Sequence, residues 1–549
     1  MENPPALLQL VWLERKYAAV FAFALVNTAL YCCSLPLWEG FDEPFHYAYV
    51  ESLSVNHQIP VLRATRISQE IRDALKLVPI SFILKRNIPG TFSFEDWFAF
   101  SQAERLHRLQ QLETIPDAKR RAPSDLLNYE AQQAPLAYML LAPVDLVISG
   151  LPVRPRILML RLLCSLPATV LIFFAYNWLC RTMGLEGAFR LGALSLLFEM
   201  QIYGASVAHL ANDWLSIAAA VWFFAALAAF ARFSRARHAF LLAGVLAAGL
   251  LAKAYFLAFV PIFLLAVVFK LFRKQIALRT ASLSAALAAA VAGPWYLRNL
   301  FKYGALAGMQ ESVNGVQQQD AFYALRHIHW GRTLVESARR GLWTGNESYL
   351  SFSQATLNLL LLLLLAGFVL FVLESRRAKP ADWWALSTAA IFGLALVYDL
   401  CVTWVDTHGL QTTFGPYYSP CILPAIFALV FLGLQRARNA GSILGSAICI
   451  VAASIGLMTY YAKLLPYYGG IIGRASPAGI LHWWTSPEAH EIFSATTLGP
   501  ASAVYALLAA YTFLLLLVNW QIISLLTAAS ASRSAVLAQP LPKRQSAAH

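Results

Sequence analysis

The chain is poor in charged residues. Only 13% of its 549 residues are charged, whereas 59% are hydrophobic. A soluble protein carries about 25% charge, so one large soluble core does not explain this composition. The alternative is lipid as the solvent, in which each membrane-spanning helix takes roughly 20 apolar residues. The deficit excludes an ordinary soluble protein and predicts a polytopic membrane protein.

Cysteine motifs and a nucleic-acid-binding surface are also missing. The seven cysteines lie in or beside apolar runs, with no CxxC pair and no metal-binding spacing. The 42 Lys and Arg exceed the 29 Asp and Glu, which gives a net charge of +13, but they form short clusters between apolar runs. Cytoplasmic loops of membrane proteins have this pattern. We therefore expect no nucleic-acid partner.

Apolar runs of spanning length recur along the chain, and we interpret each as a transmembrane helix. The predicted fold is all-α and polytopic, with about 12 transmembrane helices. They lie near residues 17–38, 157–180, 187–206, 212–231, 237–252, 254–271, 280–298, 354–374, 383–404, 419–434, 441–461 and 499–522.

Basic residues predict the orientation of these helices. With the N-terminus inside, every inward connection is basic, as in Arg232, Arg235 and Arg237. Because cytoplasmic loops are enriched in Lys and Arg, we place both termini in the cytoplasm. The predicted outer loops are residues 39–156, 299–353 and 462–498.

The predicted organisation is one transmembrane domain over residues 1–524 and a disordered cytoplasmic tail over 525–549. Residues 92–112 of the first outer loop have the pattern of amphipathic helices, and we expect them to lie in the membrane interface. No internal repeat is visible. That absence counts against transporter folds that are built from inverted repeats.

Two adjacent carboxylates follow the first predicted span with almost no linker. Asp42 and Glu43 precede Pro44 and His46 in the segment Phe-Asp-Glu-Pro-Phe-His. Pro44 fits the first turn of a helix, which would make Asp42 its N-cap. The functional alternative is that one carboxylate accepts a proton or binds a cation at the membrane boundary, where such groups are costly unless used. The pattern leaves both interpretations open.

Two more polar clusters stand before predicted apolar helices. Glu130, Gln132 and Gln133 run into an apolar helix through a proline, and Asn212 and Asp213 form a short turn before another span. Each cluster is also what an ordinary helix start requires. Together with the first carboxylates, they would collect polar side chains at one face of the membrane.

Two cations lie at predicted outward span ends, where Lys and Arg are depleted. Lys253 is at the tip of a hairpin without a polar loop, and Arg298 ends the seventh span. Both side chains could snorkel to lipid headgroups. Both could equally bind a lipid phosphate, Lys253 as a point charge.

These motifs resemble those of the GT-C superfamily of membrane glycosyltransferases, which includes protein O-mannosyltransferases and the lipid A aminoarabinose transferase. The resemblance covers the Asp-Glu-Pro-x-His start, the long first loop, the Gln-Gln-Ala-Pro segment, the Asn-Asp turn, the lone lysine and the Trp-Tyr-Leu-Arg-Asn end. A late aromatic turn with Tyr417 is also similar. Where the aminoarabinose enzyme has a lysine before paired prolines, this sequence has Gln133.

The resemblance implies a transferase that moves a sugar from a polyprenyl-phosphate donor to an acceptor hydroxyl by single displacement. It implies Asp42 or Glu43 as the catalytic base and, if a divalent metal is used, as its ligands. The implied substrate-binding residues are His46, Glu130, Gln132, Gln133, Asn212, Asp213, Lys253, Arg298 and Tyr417. The implied partners are the lipid-linked donor, membrane lipids and an acceptor that is a glycan, lipid or protein.

Two other functions fit the same composition. A polysaccharide polymerase or ligase would transfer whole glycans from a diphosphate carrier, and a flippase-type transporter would move polyprenyl-linked glycans. The long first loop and the missing repeat disfavour the transporter. The resemblance places the protein in the inner membrane of a bacterium.

Overall fold

The computed structural model describes residues 15–473 and 476–537, and almost all of them are helical or lie in connections between helices. Within these residues, nine helices are long and apolar enough to cross a membrane. This confirms the predicted all-α, multi-pass membrane class. The nine are Tyr17–Ser34, Val153–Met183, Asp213–Phe233, Ala254–Phe272, Leu278–Tyr303, Gln354–Leu373, Pro380–Asp406, Arg438–Tyr468 and Ala501–Ala528.

The other three predicted spans fall on shorter helices, so the count of twelve is not confirmed. Ala236–Ala252 and Leu423–Arg436 are apolar but below spanning length. The span predicted at 187–206 is interrupted at Met200, whose extended backbone separates Gly187–Glu199 from Gln201–Val207. An apolar run in the sequence does not reveal such a break.

The helix Asp213–Phe233 lies at the centre of the bundle. About 89% of its most apolar 18-residue stretch is buried inside the protein. It packs against Val153–Met183 on one side and Ala236–Ala252 on another, and it also contacts Pro380–Asp406. Its many alanines allow neighbouring backbones to approach closely. The residues at its start, Asn212 and Asp213, are therefore held by several helices at once.

Residues 39–156, the first long loop, fold into short helices and one small sheet. The two strands, Arg66–Ser68 and Pro123–Leu127, pair antiparallel, with Arg66 opposite Leu127 and Ser68 opposite Pro123. The α-helices are Glu43–Ser54, Gln69–Leu77, Phe82–Asn87, Phe94–Ala99, Gln102–Glu113 and Leu136–Val147, and short 3₁₀ turns cover Asp117–Arg120 and Tyr129–Gln132.

The segment expected in the membrane interface packs partly against protein. Phe94 and Trp97 are fully buried. The Phe94 ring contacts Tyr467 and Tyr468, and Trp97 Nε1 donates to Thr496 Oγ1 at 2.9 Å. These partners come from residues 462–498, the third long loop. These two aromatic side chains are therefore buried in the protein and not in the membrane interface. The sequence pattern does not distinguish these two environments.

The remaining helices belong to the second and third long loops and to the chain end. The second long loop, residues 299–353, contains Gln310–Val313, Gln318–His327 and Trp330–Arg340, and the third contains Pro477–Thr485 and Pro487–Thr496. The last helix runs from Ala501 to Leu537. This helix extends past residue 525, the predicted start of the tail, and residues 538–549 lie outside the described part, so the tail stays a prediction.

A buried ion network holds the first long loop together. Arg120 donates to Asp145 at 2.6 Å and to Glu51 at 3.2 Å, and Arg156 binds both oxygens of Glu70 at 2.7 Å. All five side chains are at most 4% exposed. Because they come from five separate elements, the network fixes the helix Glu43–Ser54 relative to the spans.

We expect Arg120→Met to destabilise the protein by about 3–5 kcal/mol, because it leaves Glu51 and Asp145 buried without their counter-charge. Thermal unfolding of the full chain in detergent measures this. Arg86→Met, at an exposed position in the same loop, is the matched control and should stay within about 0.5 kcal/mol. Equal melting temperatures for both variants would contradict the role given to the network.

Candidate active site

The site begins where the first span ends. Trp38 and Asp42 both have left-handed backbones, with φ of 67° and 53°. Residues other than glycine adopt this backbone conformation only at a cost in free energy, which the surrounding structure must offset. The helix Glu43–Ser54 follows, with Pro44 in its first turn as predicted. The bend is thus a strained feature that directs Asp42 away from the helix.

Asp42 stands at the N-cap position but does not cap the helix with its side chain. Instead, the Tyr129 hydroxyl donates to Asp42 Oδ1. No other described residue donates to the Asp42 carboxylate by side chain or backbone. The capping explanation for Asp42 therefore fails, and its Oδ2 is available to a substrate.

Glu130 and His46 adjoin Asp42. The backbone N–H of Glu130 donates to the Asn128 side chain at 3.0 Å, which starts the short turn Tyr129–Gln132. The imidazole of His46 hydrogen-bonds the Tyr138 hydroxyl at 2.7 Å and lies 3.8 Å from Glu130 Oε2. Glu130 Oε2 is buried without a hydrogen bond. Buried polar atoms normally have a hydrogen-bond partner, and a bound molecule would provide one for this oxygen.

Burial shifts the pKa values of this cluster. It raises the pKa of Asp42, against the lowering effects of the Tyr129 hydrogen bond and Lys253. It raises the pKa of Glu130 to about 8, with the Asp42 charge adding to the shift. It also lowers the pKa of His46 well below its usual value. Burial therefore favours the protonated form of Glu130 and the neutral form of His46.

Glu43 points the other way, into a buried ion pair. Arg161 Nε donates to Glu43 Oε1 at 2.7 Å and Arg161 Nη2 to Glu43 Oε2 at 2.5 Å, and both side chains are fully buried. The backbone N–H of Leu210 also donates to Glu43, at 3.0 Å. The pKa of Glu43 is lowered despite burial, because Arg161 favours the ionised form. This geometry argues against Glu43 as a base and makes it the residue that anchors the Asp42 bend.

Asp213, at the start of its helix, and Lys253, which follows the helix Ala236–Ala252, form an ion pair. Lys253 Nζ lies 2.6 Å from Asp213 Oδ1, and the lysine side chain is only 10% exposed. Asp213 therefore does not cap its helix but compensates Lys253. Because the ammonium group is enclosed, Lys253 does not snorkel to the headgroups.

Three tyrosine rings surround the Lys253 ammonium. Its distance to the ring centre is 5.0 Å for Tyr417, 5.7 Å for Tyr418 and 5.8 Å for Tyr255. Tyr417 also contacts Phe41, with ring centres 5.5 Å apart. The predicted residues Asp42, Lys253 and Tyr417 thus line one region, although they are distant in sequence.

The predicted amides connect the loops. Asn212 Nδ2 donates to Gln133 Oε1 at 3.0 Å and to the Ala252 carbonyl at 2.9 Å. Gln132 Oε1 accepts from the backbone N–H of Gln310 at 2.7 Å, which ties the first long loop to the second. Asn212 Oδ1 is buried without a partner among the described residues.

Arg298 lies apart from this cluster. Its guanidinium stacks 4.6 Å from the ring centre of Trp295 and donates to the Asn299 side chain at 3.1 Å and to the Pro60 carbonyl at 3.4 Å. It is half-buried. The structure does not bring it into contact with Asp42 or Lys253.

Two carboxylates of the site escaped the sequence reasoning as candidates, Glu39 and Glu347. Glu347 Oε2 accepts from the Asp42 backbone N–H at 3.4 Å, and Glu39 Oε1 accepts from the Ser348 backbone N–H at 2.9 Å. Burial raises the pKa of both, that of Glu39 to about 8. Glu347 comes from the second long loop and has no neighbouring motif to reveal it.

The turn that carries Glu347 is strained, like the Asp42 bend. Asn346 and Tyr349 have φ of 54° and 48°. Backbone hydrogen bonds between Gly345 and Leu350 close the turn at 3.1 and 3.2 Å. Two strained turns thus face each other across Asp42, and such outliers concentrate at functional sites.

Gly40 allows the Asp42 bend to pack closely. A Cβ at this position would lie 2.5 Å from the Cβ of His209, which is too close for any side chain. His209 is fully buried, and neither ring nitrogen has a hydrogen bond to a described residue. The turn before Asp213 and the Asp42 bend are therefore in direct contact.

A divalent cation would need oxygen ligands that converge. Asp42 and Glu43 diverge, because both oxygens of Glu43 face Arg161. Within residues 15–473 and 476–537 no group of three or more His, Cys, Asp or Glu side chains is placed to hold a metal. The pair named from the sequence therefore does not fit a metal in this arrangement.

No family model and no curated protein matches the chain. Among solved structures, ArnT from Cupriavidus metallidurans bound to undecaprenyl phosphate is similar over 94% of this chain and 78% of its own, with 13% identity and a TM-score of 0.44. The apo oligosaccharyltransferase of Archaeoglobus fulgidus is similar over 91% of this chain and 56% of its own, with 13% identity and a TM-score of 0.39. This likeness does not assign the chain to a family or superfamily. At these values it bears on neither substrate nor mechanism.

Proposed function

We propose that the protein is a membrane glycosyltransferase that moves a sugar from a polyprenyl-phosphate donor to an acceptor hydroxyl. The observation that carries this proposal is the Asp42 carboxylate, directed by a strained bend toward a region that also contains the buried ammonium of Lys253. The region lies where the spans meet the long loops. A reaction there suits a donor with a lipid tail in the membrane and a sugar at its surface.

Asp42 acts as the general base in this proposal. The Tyr129 hydroxyl holds Oδ1, so that Oδ2 can accept the proton of the acceptor hydroxyl as its oxygen attacks the anomeric carbon. The bond from that carbon to the phosphate oxygen breaks in the same step. General base assistance contributes typically about 10²–10⁴-fold to such a rate.

Lys253 stabilises the leaving phosphate. As the glycosidic bond breaks, the phosphate gains negative charge, and a fixed ammonium in a site walled by Tyr417 and Tyr418 acts more strongly than it would in water. Asp213 holds the ammonium in place. We retain Arg298 as a second proposed phosphate contact, on the basis of its position at the same ends of the spans.

The other polar groups bind the sugar and hold the site in shape. Protonated Glu130 and neutral His46 offer hydrogen bonds to sugar hydroxyls without a repulsive charge. Gln133 and Asn212 join the first loop to the central helix, and Gln132 joins it to the second. Glu43 and Glu347 are positioning residues, since each holds one side of the Asp42 bend.

We propose that the long loops face outward from a bacterial inner membrane, with both termini in the cytoplasm. Single cysteines in a cysteine-free background test this, and all seven native cysteines are buried. A cysteine at Gln102, which is exposed in the first long loop, should react with an impermeant reagent in intact spheroplasts. Reaction only after the membrane is permeabilised would reverse the orientation.

Mass spectrometry of the lipids that copurify with the protein tests the proposed donor. A polyprenyl monophosphate carrying a single sugar is the expected result, because the site offers one enclosed ammonium beside one available base. A diphosphate-linked oligosaccharide would contradict the proposal and favour a polymerase or ligase. Lipid extracts from the same membranes without the protein provide the background.

We expect a bell-shaped dependence of kcat/KM on pH. On the acid side the rate falls as Asp42 is protonated, at a pKa above the usual aspartate range because burial raises it. On the alkaline side Glu130 ionises at about pH 8 and repels the anionic donor.

The raised pKa of Glu130 also affects the stability of the folded protein. The contribution of Glu130 to stability is complete below its pKa in the unfolded chain and is lost as the pH rises through about 8.

Glu130→Gln separates the two limbs of this profile. The variant removes the alkaline ionisation and should keep the acid limb, because Asp42 is unchanged. Initial rates between pH 4 and 10 measure both. An unchanged alkaline limb in the variant would show that another group controls it.

A further inference from the structure

Two helices of the second long loop sit on the ends of spanning helices. In Gln318–His327 the side chains of Ala321 and Ala324 are buried, as is Ile328 just beyond it. They pack against Leu400 and Cys401, in the last two turns of the span Pro380–Asp406. The helix is thereby held at the level where that span ends.

The next helix, Trp330–Arg340, is held at the same level by a second span. Arg339 Nε donates to Asn358 Oδ1 at 2.7 Å, near the start of the span Gln354–Leu373. Thr333, the buried side chain of this helix, donates to the Thr412 carbonyl at 3.0 Å. Both helices therefore lie beside the ends of spans, at the depth of a membrane surface.

The opposite sides of both helices are apolar and uncovered. Phe322 is 65% exposed, Tyr323 57% and Leu334 50%, and Val335 and Leu325 are similarly open. Large apolar side chains grouped on a helix surface indicate a partner rather than water. Exposed Arg326 and Arg332 accompany them, with His327 at the end of the first helix and His329 between the two helices.

We propose that the helix pair 318–340 binds an anionic phospholipid surface. The apolar side chains would enter the boundary between headgroups and acyl chains, and the arginines would contact lipid phosphates. Aromatic and apolar residues combined with arginine at a span end are typical of interfacial helices. The arginines favour an anionic lipid over a zwitterionic one, because basic side chains near the membrane surface are attracted to anionic headgroups.

This contact would also hold the candidate site in shape. Trp330–Arg340 leads directly through Gly341 into the strained turn with Glu347, which faces Asp42. Lipid binding by the helices would thus limit the movement of Glu347. This consequence rests on the proposed function, whereas the lipid contact itself does not.

The test uses the full chain in nanodiscs, with single cysteines at Phe322 and Leu334 in a cysteine-free background. Each cysteine carries an environment-sensitive fluorophore, and a cysteine at Ala118, which is exposed in the first long loop outside residues 92–112, is the control. The discs contain phosphatidylcholine alone or with phosphatidylglycerol. Quenching by nitroxide lipids and by aqueous iodide is measured for each label.

We expect nitroxide lipids to quench the labels at 322 and 334 at least about threefold more than the control, as for side chains in the interface. The difference should increase with phosphatidylglycerol and decrease with salt, since screening weakens surface attraction. Arg326→Gln with Arg332→Gln should remove this lipid dependence. Equal quenching with and without phosphatidylglycerol would overturn the anionic specificity.

Iodide quenching of both labels at the level of the control would overturn the lipid contact altogether. It would leave the apolar face for a protein partner, which single-copy nanodiscs do not contain. Because the readout is fluorescence, this result would not affect the proposed catalytic reaction. Loss of activity with an intact lipid contact would, in turn, count only against the reaction.

Discussion

Asp42→Asn is expected to lower the rate of sugar transfer by about 10²–10⁴-fold, the contribution of a general base. The amide keeps the size of the side chain and can still accept the Tyr129 hydrogen bond, but it cannot take a proton. The melting temperature should stay close to that of the parent, because Asp42 makes no capping hydrogen bond. Single-turnover rates with a defined lipid donor, together with thermal unfolding, measure both properties.

The neighbouring carboxylate provides the matched control. Glu43→Gln should destabilise the protein by about 3–5 kcal/mol, because Arg161 would be left buried without its partner. Its effect on rate should follow the loss of folded protein. Two adjacent residues would thus show opposite signatures, one in rate and one in stability. Full activity of the Asp42→Asn variant would remove Asp42 from the mechanism.

Local patterns were sufficient for the parts of the site that lie next to one another in sequence. Pro44 in a first turn follows from its fixed backbone angle, and the structure has it there. The same pattern left open whether the Asp42 side chain caps the helix, and the structure shows that it does not. Whether the Asp42 carboxylate caps the helix depends on whether it accepts from a nearby backbone N–H or from a group far away in sequence. Here it accepts from the hydroxyl of Tyr129, 87 residues away.

Pairings across the fold could not be predicted from sequence spacing. Asp213 and Lys253 were each found as a polar group at a span end, but their ion pair depends on how two helices pack. The partner of Glu43, Arg161, lies inside a span that the sequence shows only as an apolar run with a charge. Glu347 is brought to Asp42 by the second long loop, which contains no recognisable motif.

The membrane spans show a similar division. Apolar length located helices at every predicted span, because lipid requires internally bonded backbone. It did not reveal the break at Met200, after which the backbone N–H of Ile202 donates to the Leu342 carbonyl of the second long loop at 3.4 Å. Glu199, Met200 and Gln201 at the break are all buried in protein.

Lys253→Met is expected to weaken donor binding by roughly ten- to a hundred-fold, the loss of one charge-assisted hydrogen bond of about 1.5–3 kcal/mol. The phosphate of the donor would replace part of the contact that Asp213 now makes with the ammonium. The single variant also leaves Asp213 as an uncompensated buried charge. A fall in binding could then come from repulsion by Asp213 rather than from the lost contact.

The double variant Lys253→Met with Asp213→Asn resolves this ambiguity, because it removes both charges and keeps similar side-chain sizes. Titration of a short-chain polyprenyl-phosphate sugar against the parent, the single and the double variants, with the neutral polyprenol as control, measures the effect. Weak binding in both variants, seen only with the phosphorylated lipid, is expected if Lys253 binds the phosphate. Parent-like binding in the double variant would make the ion pair purely structural.

The same titration with Arg298→Met tests the second proposed contact with the donor phosphate. A matching loss of binding would place Arg298 on the phosphate, and unchanged binding would identify its stack on Trp295 as an interfacial anchor.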